Sequence, residues 1–247
     1  MLKQTLDQSI SKLIEVNNDD WFATYIVHHK TRFLKDLELI TRLIPDRSSM
    51  IGDYGAAPFA TSMALHDLGY PIDSYDIAPE RFDDFIELGL NIQQINLDDW
   101  NKEVESKYDF IILTEVFEHL RGDLVKSLSN LKKSLKPNGL LYLTTPNFRS
   151  VMGIYKFIFK GISYSSSNDL YHEWNKIHQI GHMGHVREYT VPELSIFFEK
   201  LGFEIVMRKT SPVQLGKGLK NQIFFLLEYL TNPLKLGSAA SFVLRKP

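Results

Sequence analysis

Apolar positions near the start of the chain recur at helical spacing. From Leu2 to Leu43 they return every three or four residues, which predicts two amphipathic helices. Asn18, Asp19 and Asp20 interrupt the pattern and offer an N-cap before the second helix. The sequence therefore predicts an N-terminal helical cap over residues 1–46.

Short apolar runs then alternate with helical patterns. Strands are predicted at 50–53, 72–76, 92–97, 108–114 and 140–144, with helices at 58–68, 79–88 and from 115 to 136, before a turn at 137–139. The run Phe110–Leu113 is typical of a strand that is buried on both faces. Strands that alternate with helices predict a parallel sheet with right-handed crossovers.

The last third of the chain predicts the end of this sheet. Thr190 begins a capped helix that ends near Gly202, and strands are expected at 203–209 and 240–245. The predicted fold class is therefore a doubly wound α/β domain over 47–247. Its sheet is mostly parallel and seven-stranded, with an antiparallel terminal strand.

Two segments interrupt this order. Residues 148–188 are too long for an ordinary connection and rich in aromatic residues and histidine, so we expect an irregular substrate lid. A helical insert is expected at 212–236. The lid aromatics suit stacking on a sugar or an aromatic ring, and equally packing within the protein or in a dimer: Tyr155, Phe157, Phe159, Tyr164, Tyr171 and Trp174.

Composition narrows the classes of function. The 247 residues contain no cysteine, which excludes disulfides and thiolate metal sites. A net charge of -2 disfavours a nucleic-acid substrate. No targeting segment or apolar span is recognisable, so we expect a soluble cytoplasmic protein.

Small and acidic residues follow the first three strands. Asp53, Gly55 and Ala57 lie where the first strand meets its helix, Asp76 ends the second strand, and Asp98 follows the third. The carboxyl ends of parallel strands form the crevice in which nucleotides bind, and a carboxylate there accepts hydrogen bonds from ribose hydroxyls. Three such features in register predict a nucleotide site.

A second group follows the fourth strand. Glu115, Glu118 and His119 are spaced i, i+3 and i+4, so a helical turn would place them on one face. Carboxylates with an imidazole suit Mg²⁺ or Mn²⁺ and also accept Zn²⁺. The alternative is that Glu118 and His119 cap or pair within the fold and that Glu115 contacts only the cofactor. His185, with His182 close by, offers a fourth ligand.

The order Asp53-x-Gly55, Asp76, Asp98, the fourth strand and the terminal strand pair resembles class I S-adenosylmethionine-dependent methyltransferases over 47–245. The resemblance implies that Asp53 and Gly55 face the methionine part of the cofactor and Asp76 the ribose. The implied cofactor-binding set is Asp53, Gly55, Ala57, Asp76, Ile77, Leu97, Asp98, Thr114 and Glu115. The chain departs from the family at Ala57 and Phe59, where glycine is usual. A nicotinamide-dependent enzyme is disfavoured, because it would need G-x-G-x-x-G and a second domain.

The Glu-x-x-Glu-His turn with His185 is similar to the metal-binding set of ubiquinone-biosynthesis O-methyltransferases and of small-RNA 3′-terminal 2′-O-methyltransferases. The resemblance implies Mg²⁺ or Mn²⁺ on Glu115, Glu118, His119 and His185. The catalytic candidates are His185, His182 and His119, and the sequence does not separate His182 from His185 as ligand and general base.

These observations predict an O-methyltransferase that acts on a vicinal diol of a sugar or glycan precursor. A catechol-type quinone precursor is the second choice, and a non-catalytic methyltransferase-like binding module is the third. No nucleic acid is expected as a partner. The apolar segments 151–162 and 223–230 leave a peripheral membrane contact and a homodimer open.

Overall fold

The computed structural model describes residues 1–17, 20–101, 104–166, 169–180, 184–213 and 218–247. Its α-helices are α1 (Leu2–Val16), α2 (Asp20–Leu43), α3 (Ala60–Asp67), α4 (Leu124–Ser134), α5 (Val151–Lys160), α6 (Leu170–Ile180), α7 (Val191–Lys200) and α8 (Leu219–Leu230). The strands are β1 (Ile51–Tyr54), β2 (Ile72–Asp76), β3 (Asn91–Gln94), β4 (Tyr108–Thr114), β5 (Leu135–Pro146), β6 (Glu204–Ser211) and β7 (Ala239–Arg245). Asn18 and Asp19 of the expected N-cap lie outside the described residues.

The strands form one seven-stranded sheet in the order β3-β2-β1-β4-β5-β7-β6. The pairs β1–β2, β1–β4 and β2–β3 are parallel. Strand β7 runs antiparallel to β5 and β6, between which it lies. The predicted fold class is therefore confirmed.

The chain divides into two compact units. The first comprises residues 1–112 with 133–139, and the second comprises 113–132 with 140–247. In the first unit, α1 and α2 pack against α3, and Ser9 and Lys12 of α1 bond to the carboxylate of Asp67. Apolar side chains of β1 and β4 form a core that is closed to solvent, among them Ile51, Tyr54, Phe110, Ile111 and Ile112.

In the second unit, α7 begins as the sequence predicts. The Thr190 hydroxyl accepts a hydrogen bond from the Glu193 amide, and the Glu193 carboxylate accepts one from the Thr190 amide. This reciprocal capping box satisfies two amides at the helix start. Buried Leu194 and Phe198 then face inward, and the ring of Phe198 lies 5.1 Å from that of Phe242 in β7.

Several local predictions need correction. The expected helix at 79–88 is a 3-10 helix, Pro79–Ile86, with a kink at Phe82. The turn expected at 137–139 lies inside β5, which already begins at Leu135. Asn138 there adopts a left-handed φ of 63°, which asparagine tolerates better than most residues. The 148–188 segment is not irregular, because it contains α5 and α6.

Candidate functional site

The residues of the first unit that were predicted to bind the cofactor lie at one edge of the sheet. Strands β1, β2 and β3 are parallel and in register, with Asp53 beside Ser74 and Asp76 beside Gln94. Their carboxyl ends therefore lie side by side. Gly55 follows β1 with a φ of 75°, a conformation that favours glycine, and its amide donates to the carbonyl of Tyr75.

The carboxylate of Asp76 holds the loop after β1 close to the end of β2. One oxygen accepts the amide of Ala57 at 3.2 Å, and the other accepts the amide of Ala78 at 3.3 Å. Each carboxylate oxygen has a second acceptor position, so both can still receive ribose hydroxyls. The free acceptor positions of Asp76 thus fit the ribose hydroxyls of S-adenosylmethionine.

Asp53 is buried beneath this loop. Its carboxylate accepts a hydrogen bond of 2.6 Å from the Ser62 hydroxyl of α3. Burial raises the pKa of Asp53 to about 7, the Ser62 hydrogen bond opposes that rise, and the charges of Asp76 and Asp36 add to it. A cationic group placed beside Asp53 would favour its ionised form. The methionine ammonium of S-adenosylmethionine is such a group.

The other predicted cofactor residues of the first unit follow β2 and β3, although the strand expected at 92–97 ends at Gln94 and Leu97 lies beyond it. Ile77 directly follows β2, and its carbonyl accepts the side-chain amide of Gln94. Leu97 is buried and Asp98 half-buried in the 3-10 helix Leu97–Asp99, which follows β3. These residues join Asp53, Gly55, Ala57 and Asp76 at the carboxyl ends of β1 to β3.

The two departures from the glycine-rich pattern have different consequences. Phe59 adopts a φ of 63°, so this position still has the backbone that glycine would provide. Its ring is completely buried, 5.0 Å from the ring of Phe82 and 5.8 Å from that of Phe85. Ala57 contributes its backbone amide to Asp76, which alanine does as well as glycine.

The residues after β4 belong to the second unit. Thr114 is half-buried at the strand end, and Glu115 follows with a left-handed φ of 57°. The helical turn is a short 3-10 helix, Phe117–His119, that begins after Glu115. The expected shared helical face of Glu115, Glu118 and His119 is therefore wrong.

Glu115 instead bonds to β5. Its carboxylate accepts the Thr144 hydroxyl at 2.8 Å, and its amide donates to the Thr144 carbonyl at 3.0 Å. Glu118, His119 and His185 come together, with one potential ligand atom from each lying within 4.8 Å of the others. Three of the four predicted ligands thus form a cluster, and Glu115 stands outside it.

Both imidazoles of the cluster are held through Nδ1. His119 Nδ1 lies 3.0 Å from the carbonyl oxygen of Gly184, and His185 Nδ1 lies 3.2 Å from Oε1 of Glu188. A carbonyl oxygen only accepts, so His119 Nδ1 carries a proton, and in the neutral ring this leaves the lone pair on Nε2. Metal-ligating histidines are oriented in this way by oxygen acceptors behind the ring.

Glu118 lies at the buried end of the cluster. One of its oxygens accepts the Thr145 hydroxyl at 2.9 Å, and its carbonyl accepts the amides of Val186 and Arg187. Burial raises the pKa of Glu118, and the neighbouring charge of Glu115 raises it further. A bound cation would offset both effects.

Two further carboxylates position His185. Glu188 is buried and accepts hydrogen bonds from the backbone and side chains of Ser165 and Ser166. Glu173 of α6 is also buried and accepts the backbone amide of His185 at 2.7 Å. Sequence reasoning missed both residues. The spacing His185-x-x-Glu188 was a signal for the first, whereas nothing in the sequence pointed to Glu173.

Two other histidines of this region that the structure describes do not join the cluster. His172 and His178 are exposed on α6. His182 lies outside the described residues, so its predicted role as a ligand or base stays a prediction.

Comparison with known proteins gives the family. The profile of a family described as a methyltransferase domain matches residues 27–207, most of the chain. No curated protein matches.

Solved structures match over nearly the whole chain at low identity. A SAM-dependent methyltransferase from Archaeoglobus fulgidus is 16% identical, with a TM-score of 0.55, and covers 92% of this chain and 100% of its own. One from Thermotoga maritima is 14% identical, with a TM-score of 0.59, and covers 96% and 100%.

The third solved structure contains S-adenosylhomocysteine, which is what remains of the cofactor after methyl transfer. The 1,6-didemethyltoxoflavin-N1-methyltransferase of Burkholderia thailandensis, with S-adenosylhomocysteine bound, is 14% identical, has a TM-score of 0.54, and covers 92% of this chain and 87% of its own. At such identities these likenesses show the fold alone, while the profile match covers both the β1 loop and the Glu118 turn. The chain therefore belongs to the methyltransferase domain family and is a class I S-adenosylmethionine-dependent methyltransferase.

Proposed function

We propose that this enzyme is a divalent-metal-assisted O-methyltransferase that methylates one hydroxyl of a vicinal diol on a sugar or glycan precursor. The observation that carries the proposal is the cluster of Glu118, His119 and His185, whose ligand atoms lie within 4.8 Å of one another. Ordinary ion pairing does not require two imidazoles to be oriented around one buried carboxylate.

The donor set narrows the choice of metal. Glu118 would contribute an oxygen, and His119 and His185 would contribute ring nitrogens. Imidazole nitrogens suit transition metals, whereas Mg²⁺ prefers a shell made of oxygen. Of the two predicted ions, Mn²⁺ is therefore favoured over Mg²⁺. Three protein ligands leave coordination positions for two acceptor oxygens.

The metal would supply what an alcohol lacks as a nucleophile. A bound cation lowers the pKa of a coordinated hydroxyl and orients it, so that it can lose its proton as it attacks the sulfonium methyl. Two adjacent oxygens chelate one ion, which explains the choice of a vicinal diol. With His119 and His185 as ligands, His182 is the candidate for the general base.

Most of the residues proposed to hold the cofactor belong to the first unit, whereas Thr114 and Glu115 belong to the second. In this proposal Asp76 binds the ribose, Asp53 faces the methionine ammonium, and Gly55 allows the close approach of the backbone. The cluster of the second unit binds the acceptor and does not contribute to cofactor affinity. The two sets can therefore be tested separately.

The experiment is a methylation assay with labelled S-adenosylmethionine and matched acceptors. Each sugar with a vicinal diol is paired with its deoxy counterpart, and a catechol is paired with a monophenol. We expect transfer to the diol but not to the deoxy sugar, loss of transfer in chelator, and recovery with Mn²⁺. Methylation at full rate in excess chelator, or equal rates on diol and deoxy sugar, would refute the proposal. Transfer to the catechol alone would indicate that the acceptor is a catechol and not a sugar.

Two substitutions test whether the histidines of the cluster are needed for methyl transfer. His119→Ala and His185→Ala should abolish turnover while binding of S-adenosylmethionine, measured by calorimetry, stays unchanged. His172→Ala, which removes an exposed histidine of α6, is the matched control and should keep full activity. A chain that binds no S-adenosylmethionine at all would support the alternative of a non-catalytic module.

A further inference from the structure

Helices α5 and α8 expose large apolar side chains to solvent. On α5 these are Ile154, Phe157, Ile158 and Phe159, and on α8 they are Leu219, Ile223, Leu226, Leu227 and Leu230. We call this set the α5–α8 face. Soluble proteins rarely expose so many large apolar residues on adjacent elements unless the surface binds something.

One side of helix α8 packs against the protein, and this side carries Glu228. Buried Glu228 accepts the hydroxyl and the amide of Ser238. Leu219, Ile223, Leu226 and Leu230 are spaced i, i+4, i+7 and i+11, so they form one stripe along the helix. Leu219 is 74% exposed and Leu230 is 65% exposed. The apolar stripe of this amphipathic helix therefore points to solvent rather than to the core.

The two helices form one surface. The ring of Tyr155 on α5 lies 5.2 Å from that of Phe224 on α8, and 5.4 Å from that of Phe159. Helix α5 is anchored by buried Met152 and Gly153. A Cβ on Gly153 would lie 2.0 Å from the carbonyl oxygen of Phe148, so this close approach needs glycine. The exposed aromatics of α5 are thus fixed beside the stripe of α8.

The exposed charges among the described residues of this surface are positive. Among the described side chains of α5, α8 and the 3-10 helix Asn232–Leu234, the only acid is Glu228, which is buried. Lys160 is exposed at the end of α5, and Lys235 follows the 3-10 helix. The chain as a whole carries a net charge of -2. An apolar surface bordered by lysine and without exposed acids complements an anionic lipid surface.

We infer that the α5–α8 face docks the enzyme on the surface of a membrane that contains anionic lipids. Phe157, Phe159 and the leucines of α8 would enter the boundary between headgroups and acyl chains, and Lys160 and Lys235 would lie at the headgroups. Among the described residues no helix is long and apolar enough to cross a membrane, so the contact is interfacial. This inference does not rest on the proposed acceptor or on the metal.

The charge pattern favours a membrane over a second copy of the chain. In a two-fold symmetric dimer the same patch meets itself, so lysines would face a surface that carries lysines. The described part of the α5–α8 face offers no exposed carboxylate to pair with them. An anionic bilayer provides the opposite charge.

The test is co-sedimentation of the full chain with vesicles of phosphatidylcholine alone or mixed with phosphatidylglycerol. We expect binding to the mixed vesicles that weakens in high salt, and much weaker binding to the neutral ones. Leu226→Asp should weaken binding by at least about tenfold, because an apolar contact becomes a buried charge. Lys160→Ala should weaken it by about fivefold and only on the anionic vesicles.

The control is Ile196→Asp, which changes an exposed apolar residue of α7 in the same unit. It should bind vesicles like the unchanged chain. Thermal melts confirm that each variant is folded. Failure to bind anionic vesicles would overturn the inference, as would equal binding by Leu226→Asp. A dimer in light scattering that Leu226→Asp dissociates, without vesicle binding, would assign the face to a second copy instead.

Discussion

His185 Nδ1 lies 3.2 Å from Oε1 of Glu188, a carboxylate that is buried and surrounded by hydrogen-bond donors. Burial would raise the pKa of Glu188, but hydrogen bonds from His185, Ser165 and Ser166 outweigh it and lower the pKa to about 2. Glu188 is therefore ionised. It fixes the orientation of the His185 ring.

Glu188→Gln tests this positioning role. The amide keeps the shape of the carboxylate but loses the charge behind the imidazole. We expect the affinity for Mn²⁺ to fall by about 10- to 100-fold, as is usual when a carboxylate behind a ligand is changed. Binding of S-adenosylmethionine should not change. Glu199→Gln, at an exposed position of α7, is the control, and an unchanged Mn²⁺ affinity in Glu188→Gln would contradict the role.

Asp76→Ala tests the cofactor site. The substitution removes the carboxylate that accepts ribose hydroxyls, so binding of S-adenosylmethionine should weaken by roughly 1.5 to 3 kcal/mol. Calorimetry measures the change. Asp84→Ala removes an exposed acid from the same unit and should have no effect. Equal affinities in the two variants would show that Asp76 does not bind the cofactor.

The stability of the cofactor-free protein should depend on pH in a way that is set by Asp53. Its pKa is about 7 in the folded chain, against an ordinary value of 3.8. Between these values the folded state keeps a proton that the unfolded chain has lost, so the contribution of Asp53 to stability falls as the pH rises through this window. Asp53→Asn should remove that part of the pH dependence in urea unfolding. Identical pH profiles for both proteins would contradict the raised pKa.

Phe59 combines a strained backbone with a buried ring. Phe59→Ala should destabilise the fold by about 3 to 5 kcal/mol, because the ring leaves a cavity beside Phe82 and Phe85. Phe59→Gly should be more stable than Phe59→Ala by about 1 kcal/mol, since glycine accepts a φ of 63° without strain. Urea unfolding compares the two variants. A less stable glycine variant would show that the backbone strain is negligible.

The sheet, and the placement of most candidate cofactor residues at its edge, could be predicted because they depend on local patterns. The apolar run Phe110–Leu113 and the capping box at Thr190 need only neighbouring residues, and the structure has both. Asp53 and Asp76 were predicted because parallel strands end at one edge, so positions in the sequence fix positions in space.

Other features depend on contacts that the sequence does not show. Glu115 lies outside the cluster because its backbone is left-handed and the helical turn begins only at Phe117. The spacing of the residues does not reveal this left-handed conformation. Glu173 reaches the His185 amide from α6, and no local pattern marks that contact. The outward stripe of α8 could not be predicted either, since an amphipathic pattern does not say which side meets the core.

The most direct test of the proposed function is the binding of Mn²⁺ itself, followed by electron paramagnetic resonance in the absence of any acceptor. We expect one Mn²⁺ site per chain, which is lost in His119→Ala and in His185→Ala. His178→Ala, which removes an exposed histidine of α6, should bind the ion like the unchanged protein. If the chain binds no Mn²⁺, or if His119→Ala and His185→Ala bind it as tightly as His178→Ala does, then Glu118, His119 and His185 are not a metal site.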